Sequence, residues 1–194
     1  MQALPGFTKK AIRDSFIKLL NQRPVNQITI KDIVEDCGIN RNSFYYHYQD
    51  LPSMIEEIIL DEVNVIISQH PTIDSIEECL DVAISFALEN RRAALHLYNS
   101  ANRDVYEQYL WRVCGYAVNT YFETLFTKYP PQNSDREIII RYYKWECFGA
   151  ILDWMSGGMK DDIQKIFHRI AQLKRGMLEE MLHRSMSGII PDQK

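Results

Sequence analysis

The chain has 194 residues, 46% of them apolar and 25% charged, with a formal net charge of −4. This is ample material for a buried core, it rules out a protein that holds nucleic acid by bulk charge alone, and no apolar run is long enough to cross a bilayer. Cys37, Cys79, Cys114 and Cys147 are widely spaced, without CxxC pairs or zinc-finger spacing, so neither a disulfide framework nor a metal site is expected.

Helical periodicity continues along the chain and no stretch alternates like a strand, which predicts an all-α fold. The opening MQALPGFTKK lacks the apolar core of a signal peptide, so a cytoplasmic protein is expected. The first helix is expected over residues 8–21, with Ile12, Phe16, Leu19 and Leu20 inward and Pro24 beyond its end.

The next segment, ITIKDIVEDCGINRNSFYYHY, carries the local signals of two short helices joined by a tight turn. Thr29 is placed to cap a helix with Ile30, Ile33, Val34 and Cys37 at apolar spacing, and Asp32 stands where a capping box needs a carboxylate. Gly38 suits the left-handed end of that helix, and Asn40 is a good cap for the next, with Ile39 placed to staple onto Phe44. With Phe44 and Tyr48 inward, Arg41, Asn42, Ser43, Tyr45, Tyr46 and His47 are left to face outward or flank the seam. All six can hydrogen-bond. Such a set suits a DNA groove, where Arg and Asn read base edges while Tyr, Ser and a helix N-terminus hold phosphates.

A fourth helix is expected over residues 51–69, with Pro52 in its first turn and His70 and Pro71 closing it. At a rise of about 1.5 Å per residue it would span roughly 28 Å, long enough to connect reader and body. Further helices are expected over residues 75–89, 91–100, 103–128, 135–156 and 161–187. The breaks fall at Tyr129, Pro130 and Pro131 and at Gly157 and Gly158. The expected division is a DNA-binding domain at 1–50 and a regulatory and dimerisation domain at 51–194. Residues 1–50 hold seven Lys and Arg against five Asp and Glu, while the remainder holds fifteen against twenty-one, so the positive charge lies with the reader.

The last two expected helices are apolar on more than one stripe. Ile138, Tyr142, Trp145, Gly149 and Leu152 form one stripe and Phe148, Ile151 and Met155 another. The final helix adds Ile163, Ile166, Phe167, Ile170, Leu173, Met177, Met181 and Leu182. One stripe can face the subunit's own core while the other meets a symmetry mate in a four-helix interface. Tyr142, Trp145, Gly149, Leu152, Ile166, Ile170, Leu173 and Met177 are the expected contacts. A dimer also suits the reader, because one short helix touches too few base pairs to select a site, and two would address the half-sites of a palindrome.

Over residues 8–59 the chain resembles the TetR family of one-component transcriptional repressors. The resemblance rests on the amphipathic first helix, the TIKDIVEDCGIN turn, the SFYYHY cluster and QDLPSMIEEII opening a fourth helix. It implies that Asn40, Arg41 and Asn42 begin the recognition helix, that Tyr45, Tyr46 and His47 touch backbone or bases, and that Thr29 contacts phosphate. One position departs: where many members carry a Lys near the start of the fourth helix, this chain has Leu51 and Pro52, which shifts weight to Lys31, Arg41, Lys9 and Lys10.

The resemblance also implies release by a small-molecule inducer, and the middle helices hold Phe86, His96, Tyr98, Tyr106, Tyr109, Trp111, Tyr116, Tyr121 and Phe122 as candidate lining, with Cys114 and Trp145 as further neighbours. The same list would describe a helical core. An enzyme is not expected, since HExxH, GxSxG and phosphate-loop patterns are lacking and the paired acidic residues read as solvated faces; no cofactor is expected either. The alternatives are a regulator of this kind that answers to a partner protein, and a helical adaptor that binds only protein.

Overall fold

A computed structural model describes residues 5–69, 75–88 and 91–187. Among them are ten α-helices and no strand: α1 Pro5–Leu20, α2 Ile30–Asp36, α3 Arg41–His47, α4 Leu51–Gln69, α5 Ile76–Leu88, α6 Arg91–Tyr98, α7 Arg103–Lys128, α8 Asn133–Ser156, α9 Ile163–Leu173 and α10 Met177–Ser187. A 3-10 turn at Val25–Gln27 follows α1. The expected stops at His70, Pro71 and Glu89 lie outside the described residues. Among the described residues no helix is long and apolar enough to cross a membrane.

The chain forms two compact units, one of Met1–Val65 with Phe86–Leu110, the other of Ile66–Ser85 with Trp111–Lys194. In the first, α1 packs on α2, α3 and α6. Phe16, Leu20, Ile33, Phe44, Met54 and Ile55 are the large side chains at its centre, each essentially fully buried. Ser15 is buried among them without penalty, because its hydroxyl donates to the Ile33 carbonyl at 3.2 Å. Lys9 with Glu57 and Arg13 with Glu62 bridge α1 to α4, and Lys18 meets Asp36 on α2 at 2.6 Å. These pairs are partly exposed and add little beside the core.

In the second unit the buried faces of α5, α7 and α8 meet, with Val118, Phe122, Tyr143, Cys147 and Ile151 inside. The Gly157–Gly158 break is held by the Trp154 indole, which donates to the Asp161 carbonyl at 2.9 Å. Ser185 of α10 fastens α8: its hydroxyl donates to Asp135 at 2.6 Å and accepts the Gln132 amide at 3.0 Å.

The sequence predicts one helix over 161–187, and here the structure differs. Asp162 caps α9 by accepting the Lys165 amide at 3.1 Å, and α9 ends at Leu173. Gly176 follows at φ +84, and α10 starts anew at Met177. A left-handed residue cannot continue an α-helix, and glycine adopts that conformation without penalty, so a single glycine divides a segment whose apolar periodicity runs through it.

Candidate nucleic-acid interface

The turn between α2 and α3 is set by local chemistry. Thr29 and Asp32 form a reciprocal capping box: the Asp32 amide donates to Thr29 Oγ1 at 3.2 Å, and Asp32 Oδ2 accepts the Thr29 amide at 2.8 Å and its hydroxyl at 2.7 Å. These bonds, with Arg23 alongside, hold the Asp32 carboxyl below the usual carboxylate range. Gly38 turns the chain at φ +70, and the Ile39 amide closes onto the Val34 carbonyl at 2.9 Å. Asn40 then caps α3, its Oδ1 accepting the Ser43 amide at 2.8 Å and the Ser43 hydroxyl at 3.1 Å.

Phe44 is fully buried and Tyr48 nearly so, which fixes the inward face of α3. Burial, with Glu57 and Asp61 near, pushes the Tyr48 hydroxyl up to about 12, so it stays protonated. Arg41 and Asn42 are exposed at the start of the helix. Tyr45 and Tyr46 stand out at 52% and 78% exposure, and Ser43 and His47 are half-buried. The Tyr46 ring sits edge-on to His47, with centroids 5.1 Å apart. A surface of guanidinium, amide and two phenols thus projects from one short, rigidly capped helix.

The remaining expected contacts are less available. Thr29 and Asn40 have their side-chain oxygens engaged in capping, and Lys31 meets Glu35 at 3.7 Å across an exposed turn. Lys9 is held by Glu57 and lies 5.9 Å from the Tyr48 ring centroid. Lys10 and Arg41 form no ion pair among the described residues. At the start of α4, Leu51 is half-buried, and Asp50 and Ser53 cap each other, the Ser53 amide donating to Asp50 Oδ1 at 2.8 Å.

The aromatic set read as an effector pocket divides between the two units. His96 Nδ1 donates to the Leu20 carbonyl at the end of α1, at 2.6 Å. Tyr98 is buried, with the Arg103 guanidinium over its ring at 4.3 Å and donating to its hydroxyl at 3.0 Å. Tyr109 donates to Glu56 at 3.3 Å. These three belong to the first unit, whereas Trp111, Tyr116 and Trp145 belong to the second. Trp111 is covered by the Lys144 ammonium at 3.7 Å and by the edge of Phe148. Lys144 itself fits because Gly115 leaves room: a Cβ there would come within 2.9 Å of its nitrogen. Tyr116 is half-buried, Trp145 is 58% exposed, and the Phe86 side chain lies outside the described residues.

A cavity of about 430 Å³ lies within the second unit instead, walled by α5, α7, α8, α9 and α10. Of the aromatics named from sequence, Tyr121 bounds it, as does Phe167 from the last expected helix, whereas Tyr143, Glu146 and Lys174 carry no mark in the sequence reading. Their signal is faint, since Tyr143 lies beside the more prominent Tyr142 and Lys174 becomes the cap of a helix end, at Leu173, that the periodicity does not show. On the outer side of the same helices, Tyr142, Trp145, Gly149, Ile166, Leu173 and Met177 are exposed and Leu152 is half-buried, whereas Ile170, expected at the dimer interface, is half-buried and bounds the cavity. The four thiols are unpaired, and burial pushes those of Cys37 and Cys79 up.

Residues 74–176 match the family model for the C-terminal region of TetR-type transcriptional regulators. A stretch of 58 residues, 30% of this chain, is 33% identical to the uncharacterized HTH-type transcriptional regulator YxbF of Bacillus subtilis (strain 168), and it spans 15% of that protein. The fold is similar to that of the dihydroxyacetone kinase operon activator DhaS, with a TM-score of 0.68 at 17% identity over 92% of this chain and 96% of the other.

Proposed function

Because the chain belongs to the TetR family of transcriptional regulators, we propose that it is a cytoplasmic, sequence-specific DNA-binding repressor that acts as a homodimer on a palindromic operator and is released by a small-molecule effector. The observation that carries this reading is the outward face of α3, where Arg41, Asn42, Tyr45 and Tyr46 stand clear of a helix pinned by Phe44 and Tyr48. Arg41 and Asn42 occupy the first turn, the part of a recognition helix that reaches base edges, and the phenols are placed to hold phosphate or stack against the groove wall. Affinity rests on such contacts and on two-fold repetition, since the excess of positive charge over residues 1–50 is small.

The dimer is supported by the exposed apolar face of α8 to α10. Ile138, Tyr142, Trp145, Ile166 and Leu173 are all more than two-fifths exposed in the single chain. Contiguous large apolar side chains of this kind mark an interface rather than a solvated surface. Release follows from linkage: an effector that prefers the non-binding arrangement shifts the equilibrium by its preference and no more.

The test is selection of bound sequences from a random double-stranded DNA pool, with the stoichiometry of the complex measured on the enriched sequence. Enrichment of a palindrome bound by one or two dimers supports the reading. Absence of enrichment at low salt, where charge-driven binding is strongest, overturns it. Placing the enriched site upstream of a reporter separates repression from the activation named for the structurally similar DhaS.

A further inference from the structure

The cavity of the second unit has a chemical bias that its aromatic content alone does not reveal. Its volume of about 430 Å³ falls in the range of small-molecule sites, roughly 300 to 1,000 Å³. Tyr121 and Tyr143 both bound it, and neither hydroxyl makes a hydrogen bond among the described residues, although Tyr143 is only 5% exposed. Tyr121 is half-buried, and neither hydroxyl is among the buried polar atoms left without a partner, so both keep an open side from which a bound molecule can reach them.

Charge says which kind. Three carboxylates, Glu77, Glu146 and Glu179, bound the cavity. Lys174 is spent on Glu146, meeting both carboxylate oxygens at 2.6 and 2.7 Å, and His168 is engaged with Gln172 at 3.0 Å. Arg175 is exposed at the α9–α10 turn, while Glu77 and Glu179 form no ion pair among the described residues. Burial above all raises both phenols, with Cys79 and then Glu77 and Glu179 adding to it at Tyr121, and Glu146 and Glu179 among the further causes at Tyr143. The wall also already seats a cation, since the Lys174 ammonium lies 5.0 Å from the Tyr143 ring centroid and 5.5 Å from that of Tyr142.

We propose that this cavity binds an organic monocation, a protonated amine carrying an apolar body. Its N–H groups donate to the Tyr121 and Tyr143 oxygens, its charge is balanced by Glu77 and Glu179, and its body lies against Phe167 and Ile170. An anion of the same size would find only Arg175, on the exposed turn, against the unmatched carboxylates of Glu77 and Glu179, since Lys174 is held by Glu146. The inference rests on the effector reading above and names the class of the effector.

Calorimetric titration of the full chain, without DNA, compares phenethylammonium with phenylacetate, two bodies of like size and opposite charge. The ammonium is expected to bind and the carboxylate not to bind at the same millimolar concentration. Tyr143→Phe should weaken the ammonium about tenfold by removing a hydrogen bond to a charged group. Glu179→Gln, a substitution at an exposed position that leaves the core intact, should weaken it and narrow the preference over phenylacetate. Equal or tighter binding of phenylacetate, binding of neither probe, or ammonium binding indifferent to both substitutions overturns the proposal. Ammonium binding that obeys both substitutions without releasing selected DNA supports the cation site and overturns the release reading. Lack of any DNA binding overturns the repressor reading alone.

Discussion

At the scale of single residues, capping and recognition compete for the same side chains. Thr29 and Asn40 spend their oxygens on the first turns of α2 and α3, so on the proposed reading their part is to aim the helix, leaving DNA to the side chains that remain outward. Arg41→Ala should lower operator affinity by about 1 to 3 kcal/mol and relax the preference at one base pair if Arg41 reads a guanine. Anisotropy titrations against operator variants check this, and an unchanged affinity removes Arg41 from the interface. Tyr46→Phe should weaken binding nearly equally on every sequence, because a phenol hydroxyl on phosphate carries no base information. A loss confined to one base position would make Tyr46 a base reader.

At the scale of elements, what could be read from the sequence is what local chemistry decides. The bounds of α4 and α7 coincide with the expected ones. The α2–α3 turn follows from Thr29, Asp32, Gly38 and Asn40, residues close enough in sequence to satisfy one another. The division of α9 from α10 was written in Gly176 but hidden by apolar spacing that runs through it. Gly176→Ala should cost roughly 1 kcal/mol, the strain of a side chain in the left-handed region, since no atom lies close enough to add a clash. Chemical denaturation measures it, and an unchanged midpoint would mean that the turn relaxes. The aromatics were harder to place because their partners are remote: His96 meets Leu20 across 76 positions and Tyr109 meets Glu56 across 53. A list of aromatic residues on helices does not say which of them face a void.

At the scale of the whole molecule, the proposed dimer would use the outward apolar face of α8 to α10 and so tie assembly to recognition. Trp145→Glu places a charge at the centre of that face and should weaken self-association by about 2 kcal/mol or more, the loss typical of a central aromatic anchor. Sedimentation velocity would follow the shift toward monomer, and affinity for a palindrome should fall with it while affinity for a single half-site holds. A variant that stays dimeric would place the interface elsewhere.

The packing of α6 on α1 has a consequence for how the protein is made. Ala93, Ala94 and Leu97 close over Phe16, Leu20, Ile55 and Ile58 around a small void of about 60 Å³, and His96 fastens the end of α1. During synthesis α1 to α4 therefore leave the ribosome well before their cover. Until residues 91–110 emerge, those apolar side chains stay bare, a surface of the kind that chaperones hold. The nascent chain accordingly completes its first unit only after α6 and the start of α7 have been translated, and a chain cut after α4 should aggregate rather than yield a small folded fragment.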